Sequence, residues 1–103
     1  FSGTGRNIAV IGDMLELGAA SKKQHEKLGK KCNSSNLDAI FTLGVETLNT
    51  KNTIKDKKTN DHFEDYNHLI STLKSFLISD DKVLFKGSRG MQMEKIISGV
   101  FEN

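Results

Sequence analysis

Proline is absent from this chain, cysteine occurs once, and no apolar run is longer than Ile8-Ala9-Val10-Ile11. Each shortage excludes something. Without proline no rigid linker is visible, and no internal repeat or low-complexity tract divides the 103 residues. That length suits one domain with a single modest core. The apolar run falls far short of the roughly 20 residues that span a membrane, and no basic-then-apolar signal segment opens the chain. The lone Cys32 cannot close an internal disulfide, which fits a reducing, cytoplasmic setting. It falls on a predicted helix face with no His or Cys at ligand spacing, and reads as a small buried hydrophobe.

Charge of one sign is also scarce. The net charge is +2, and the basic residues are scattered without a stripe interleaved with aromatics, so nucleic acid is not an expected partner. At 36% hydrophobic and 27% charged, the composition is that of a folded domain and not of a disordered one. Several enzyme signatures are missing too. A Walker A loop needs Gly-Lys-Ser or Gly-Lys-Thr, whereas Lys86-Gly87-Ser88 has the first two reversed. Gly3 and Gly5 lack the third glycine of a dinucleotide fingerprint and precede a strand instead of following one. His25, His62 and His68 are not at metal-ligand spacing and read as helix-surface or loop residues. No Ser-His-Asp or Cys-His arrangement can be drawn.

What is present is alternation. After a glycine-rich lead-in, Phe1 to Asn7, three short apolar runs each close on glycine: Asn7 to Gly12, Ala39 to Gly44 and Lys82 to Gly87. Such runs predict strands buried on both faces, as in a parallel sheet, with glycine letting the backbone turn at the exit. Ser21 followed by Gln24 matches a capping box and starts a helix, with Leu28 and Cys32 on one face and a stop at Asn33. Val45, Leu48 and Ile54 give a weaker helical stripe, and Lys55 to Asp61 reads as a solvated loop. A short strand is placed at His62-Phe63. Asp65 caps the next helix, whose Leu69, Ile70, Leu73, Phe76 and Leu77 repeat at helical spacing. Asp80 and Asp81 turn the chain into the third run. Met93, Ile96, Ile97, Val100 and Phe101 give the last helix a sheet-covering side. Strand-helix alternation of this kind predicts an open α/β fold with helices on both faces of a mainly parallel sheet.

Ligands of such sheets bind beyond the carboxyl ends of the strands. Three turns lie there: Gly12-Asp13-Met14-Leu15-Glu16-Leu17-Gly18, Gly44-Val45-Glu46-Thr47, and Lys86-Gly87-Ser88-Arg89-Gly90. In the third, Arg89 offers a planar fork of donors for a carboxylate or phosphate, beside the free N–H groups of a helix start. Equally, Ser88 caps the helix and Arg89 lies in solvent. The first turn is too apolar to be freely solvated, so it packs on another part of a larger protein or shapes a pocket. Asp13 and Glu16 either bind an amine, or Asp13 caps a helical turn.

The stretches Arg6-Asn7-Ile8-Ala9-Val10-Ile11-Gly12-Asp13-Met14-Leu15-Glu16-Leu17-Gly18 and Lys86-Gly87-Ser88-Arg89-Gly90-Met91-Gln92-Met93-Glu94 resemble the MurF family. So do Ser21, His25 and Gly29, and His62-Phe63-Glu64-Asp65. The resemblance runs from Arg6 through nearly the whole chain. It implies a three-layer α/β/α, Rossmann-like fold, the last of three domains in a UDP-N-acetylmuramoyl-tripeptide D-alanyl-D-alanine ligase, with residues 1–103 all in that domain. The implied reaction is ATP- and Mg²⁺-dependent: a terminal carboxylate is phosphorylated, and the amine of D-alanyl-D-alanine attacks the acyl phosphate. The central domain, not this one, is expected to hold ATP and Mg²⁺. Phe1 in place of methionine is read as a sign of a longer protein. An upstream strand and helix, with the nucleotide-holding Asn-Ala-Asn-Pro-like segment, are expected to be missing. By position, the resemblance makes Asp13, Met14, Leu15 and Glu16 shape the amino-acid pocket, with Lys86, Gly87, Ser88 and Arg89 at its mouth. Arg89 would engage the carboxylate of D-alanyl-D-alanine. The domain alone is expected to be inactive, monomeric, bacterial and cytoplasmic. The competing reading is a receiver-like binding module, which would need clustered acidic residues at the strand ends.

Overall fold

Four strands form one parallel sheet in the computed structural model, which describes residues 5–55 and 58–102. They are β1 (Asn7–Gly12), β2 (Ala39–Leu43), β3 (Thr59–Phe63) and β4 (Lys82–Lys86), in the spatial order β3-β2-β1-β4. The helices are α1 (Ser21–Asn33), α2 (Leu48–Thr53), α3 (Tyr66–Phe76) and α4 (Met93–Phe101), with short 3₁₀ turns at Gly18–Ala20 and Arg89–Met91. None among the described residues is long and apolar enough to cross a membrane. Residues 1–4 of the lead-in and residues 56 and 57 of the lysine-rich stretch lie outside the described residues.

Alternation along the strands splits the core in two. Ile8, Val10, Phe41 and Phe63 pack with Leu69, Leu73, Met93 and Ile96 on the side of α3 and α4. Ala9, Ile11 and Ile40 pack with Cys32 and Ile54 on the side of α1 and α2. The layers are therefore helix, sheet, helix, as expected. Cys32 is a buried core residue, and its burial pushes the thiol pKa upward, against a smaller opposing effect from Lys58. Asp65 caps α3 as read, its side chain accepting the Asn67 N–H at 2.8 Å.

Four local expectations need correction. The strand at His62-Phe63 extends back to Thr59. It is the outer strand beside β2, so exposed polar residues are tolerated there and no apolar run announces it. Ser21 begins α1 but does not cap it, because the preceding 3₁₀ turn already supplies a helical approach and no side-chain cap bond forms. Helix α2 does not pack through Val45 and Leu48, which are 69% and 44% exposed. It packs through buried Thr47 and Thr50, and Gly29 of α1 lies so close that a Cβ there would meet the Thr50 carbonyl oxygen at 2.6 Å. Finally, only one of the three strand-closing glycines needs a backbone that other residues avoid: Gly44 sits at φ +120°. Gly12 and Gly87 are there because the two turns nearly touch, a Cβ on Gly87 falling 3.2 Å from the Gly12 Cα.

Candidate functional site

From β1 the chain moves to β2 and β3 on one side, then returns to lay β4 on the other side of β1. The sheet's topological switch point is thus between β1 and β4, and the crevice beyond their carboxyl ends is where such folds receive ligands. The turns bordering it are residues 13–18 and 87–90.

Hydrogen bonds lock these turns to each other and to the turn after β2. The Asp13 carboxylate is buried, 5% exposed, and accepts the Glu46 N–H at 3.1 Å and the Thr47 N–H at 2.8 Å. It caps the start of α2 from a different strand. The Asp13 carbonyl accepts the Ser88 N–H at 3.0 Å, and the Ser88 hydroxyl accepts the Leu15 N–H at 2.8 Å. Tyr66 donates its hydroxyl to the Met91 carbonyl, fixing the far end of the Arg89–Met91 turn. From α1, the fully buried His25 accepts the Met14 N–H on Nε2 at 3.0 Å.

Against this frame the predicted site residues separate. Leu15, Glu16, Ser88 and Arg89, with Gly90, line one open hollow of about 510 Å³ at the switch point. Glu16 stands in the left-handed region at φ 63°, an uncommon conformation for a residue with a Cβ. Among the described residues the Arg89 guanidinium forms no hydrogen bond or ion pair. Asp13 lies beneath the turn as a cap, so of its two readings the structural one is observed. Lys86 is not at the mouth of this hollow. As the third of Lys82, Leu84 and Lys86 on one face of β4, it points toward α1, where it borders a separate hollow with Met14, Gln24 and Lys27. Gly87 serves close packing against Met93 and Gly12. Ser88 does not cap α4, since the 3₁₀ turn stands between them and α4 starts behind Gln92 without a side-chain cap.

The residues that the sequence reading missed are the ones that hold the turns. His25, expected on a helix surface or in a loop, is 0% exposed. Ser21 donates its hydroxyl to Glu46, and Thr47 takes the shorter bond to Asp13. Spacing offered a clue: Ser21, His25, Gly29 and Cys32 lie on one stripe of α1.

No group of three or more His, Cys, Asp or Glu among the described residues could hold a metal ion. Glu16 and Glu46 border a common hollow between the first two turns, two carboxylates with no third beside them among the described residues.

Comparison with known proteins agrees with the fold. The family profile described as "Mur ligase, glutamate ligase domain" matches residues 1–89. The UDP-N-acetylmuramoyl-tripeptide--D-alanyl-D-alanine ligase of Bacillus subtilis is 31% identical over 98% of this chain, which covers 23% of that protein. This chain belongs to the Mur ligase family, as a C-terminal domain of the MurF type. A crystal structure of MurF from Acinetobacter baumannii superposes with a TM-score of 0.81, at 26% identity, over 98% of this chain and 23% of its own. MurF from Thermotoga maritima, solved in complex with ADP, gives a TM-score of 0.74 at 32% identity over 94% of this chain and 22% of its own. The chain thus spans under a quarter of these MurF proteins.

Proposed function

We propose that this domain closes over D-alanyl-D-alanine in a cytoplasmic, ATP-dependent ligase that joins the dipeptide to a UDP-N-acetylmuramoyl-tripeptide. Arg89 binds the dipeptide's carboxylate by paired, charge-assisted hydrogen bonds. Glu16, on the same hollow, faces its amine end. The neutral amine attacks the carbonyl of the tripeptide acyl phosphate, the C–N bond forms as the C–O bond to phosphate breaks, and phosphate and the amine's proton are released. ATP and Mg²⁺ are held by other domains of the ligase: this sequence has no Walker A loop, and the described residues gather no cluster of three metal ligands. This domain therefore contributes binding and closure, and alone it catalyses nothing.

One observation carries the reading. An arginine with no hydrogen-bond or ion-pair partner among the described residues shares the hollow at the topological switch point with a glutamate, and opposite charges across a small cleft suit a zwitterion. The test is Arg89→Ala in the full-length ligase. Loss of a charged hydrogen-bonding contact of about 1.5–3 kcal/mol raises KM for D-alanyl-D-alanine by roughly 10- to 150-fold, with KM for ATP unchanged. An unchanged KM for the dipeptide overturns the assignment.

A further inference from the structure

His25 has no part in the chemistry above, yet both of its ring nitrogens are engaged in the interior. Nε2 lies 3.0 Å from the Met14 amide nitrogen, a donor, so it must be bare. Nδ1 lies 2.7 Å from the Ser21 carbonyl oxygen, which only accepts, so it must carry the proton. The neighbouring Ser21 hydroxyl, 3.3 Å from Nδ1, donates to Glu46. A continuous chain thus joins the turn after β2 to the turn after β1: Glu46 carboxylate, Ser21, imidazole, Met14 amide.

What that chain holds is a strained segment. Glu16 occupies a left-handed conformation that residues with a Cβ disfavour, and such conformations persist only where surroundings over-determine them. Two successive amides are gripped from separate elements, Met14 by His25 of α1 and Leu15 by Ser88 of the turn after β4. The bonds at Asp13 hold the start of the turn, and on the α1 side it is His25 that takes the Met14 amide. Completely buried, His25 has no competing water for its acceptor.

We propose that His25 is a positioning residue of the ligase: through the Met14 amide it sets the loop that presents Leu15 and Glu16 to the dipeptide, without touching substrate. The kinetic part rests on the reading that the hollow receives D-alanyl-D-alanine; the geometric part does not.

The experiment uses the full-length ligase with His25→Asn, which shortens the side chain so that no acceptor reaches Met14, and His25→Gln, which keeps an acceptor near the Nε2 position. Imidazole ¹⁵N shifts of the wild type report the tautomer, and amide exchange reports Met14. The expected results are a bare Nε2 with a protonated Nδ1, and Met14 protection lost in His25→Asn. KM for the dipeptide rises roughly 10- to 100-fold with KM for ATP unchanged, and His25→Gln restores most of it. A proton on Nε2 overturns the proposal whatever the kinetics. A normal dipeptide KM in His25→Asn, with Met14 deprotected and Arg89→Ala impaired, also overturns it. If His25→Asn deprotects Met14 while both it and Arg89→Ala keep a normal dipeptide KM, the reading of the hollow fails and the kinetic role fails with it. Should His25→Asn not fold, the wild-type tautomer and the His25→Gln kinetics decide: near-normal KM with Met14 protected supports the role, and a KM raised despite that protection refutes it.

Discussion

The hydroxyl of Ser88 accepts the backbone N–H of Leu15 at 2.8 Å, joining residues 73 apart in the chain. This bond, with the Ser88 N–H to the Asp13 carbonyl, makes the first and third turns one unit. Ser88→Ala removes the acceptor and leaves the backbone bond intact. The expected outcome is a stability loss of about 0.5–1.5 kcal/mol and faster hydrogen exchange at the Leu15 amide, with little change at Asp13. If Leu15 exchanges at its original rate, the hydroxyl is not what holds this turn.

What could be read in the sequence divides along physical lines. β1 and β2 were plain because a strand covered on both faces must be apolar at every position, as Ile8 to Ile11 and Ala39 to Phe41 are. β3 was half hidden because Thr59 and Asp61 are exposed and its pairing with β2 is made by backbone groups, which leave no trace in side-chain pattern. The placement of Lys86 was legible in principle: Val83 and Phe85 pack on the α3 side, so strand alternation sends Lys86 to the other. His25 was harder. A polar residue becomes a core residue only through partners, and Met14 arrives from a loop whose path the local sequence does not state. The threonines of α2 failed for the same reason, Thr50 being buried because its hydroxyl reaches the His25 carbonyl at 2.8 Å. Arg89 and Glu16 could be nominated from residue type and topology, but only the order β3-β2-β1-β4 brings them to one hollow.

Gly44 and Gly18 both have positive φ, +120° and +55°, but their surroundings differ. A Cβ on Gly44 would fall 2.4 Å from the Asp13 carboxylate carbon, whereas one on Gly18 would meet nothing within 4 Å. Gly18→Ala should therefore cost only backbone strain, of order 1 kcal/mol. Gly44→Ala adds displacement of the cap that holds Glu46 and Thr47, and should cost clearly more, about 2–4 kcal/mol in total. Chemical denaturation of the two variants checks the ordering. Equal losses would mean that the Asp13 cap contributes little to α2.

Acid stability depends on a pair away from the site, Arg6 and Asp81. Asp81 is almost covered, its side chain 4% exposed, and it takes Arg6 in a two-pronged contact at 2.9 and 2.6 Å. The Arg6 hydrogen bond holds the Asp81 carboxyl below the usual carboxylate range; desolvation opposes this, and the Ile78 N–H reinforces it. Arg6 also stacks on Phe76 at 4.2 Å and donates to the Phe76 carbonyl, so the pair fastens the start of β1 to the end of α3. A folded pKa below the unfolded value means that the native state binds the proton less readily. The contribution is therefore complete above the unfolded aspartate value of about 3.9 and disappears as pH falls through the lower folded value. Asp81→Asn keeps the shape and removes the charge. It should lower stability at neutral pH, and the gap to the wild type should narrow once pH drops below about 4. Urea midpoints measured from pH 7 down to about 3 supply the check. A gap that stays constant across that range would show that the contribution of Asp81 does not depend on its ionisation.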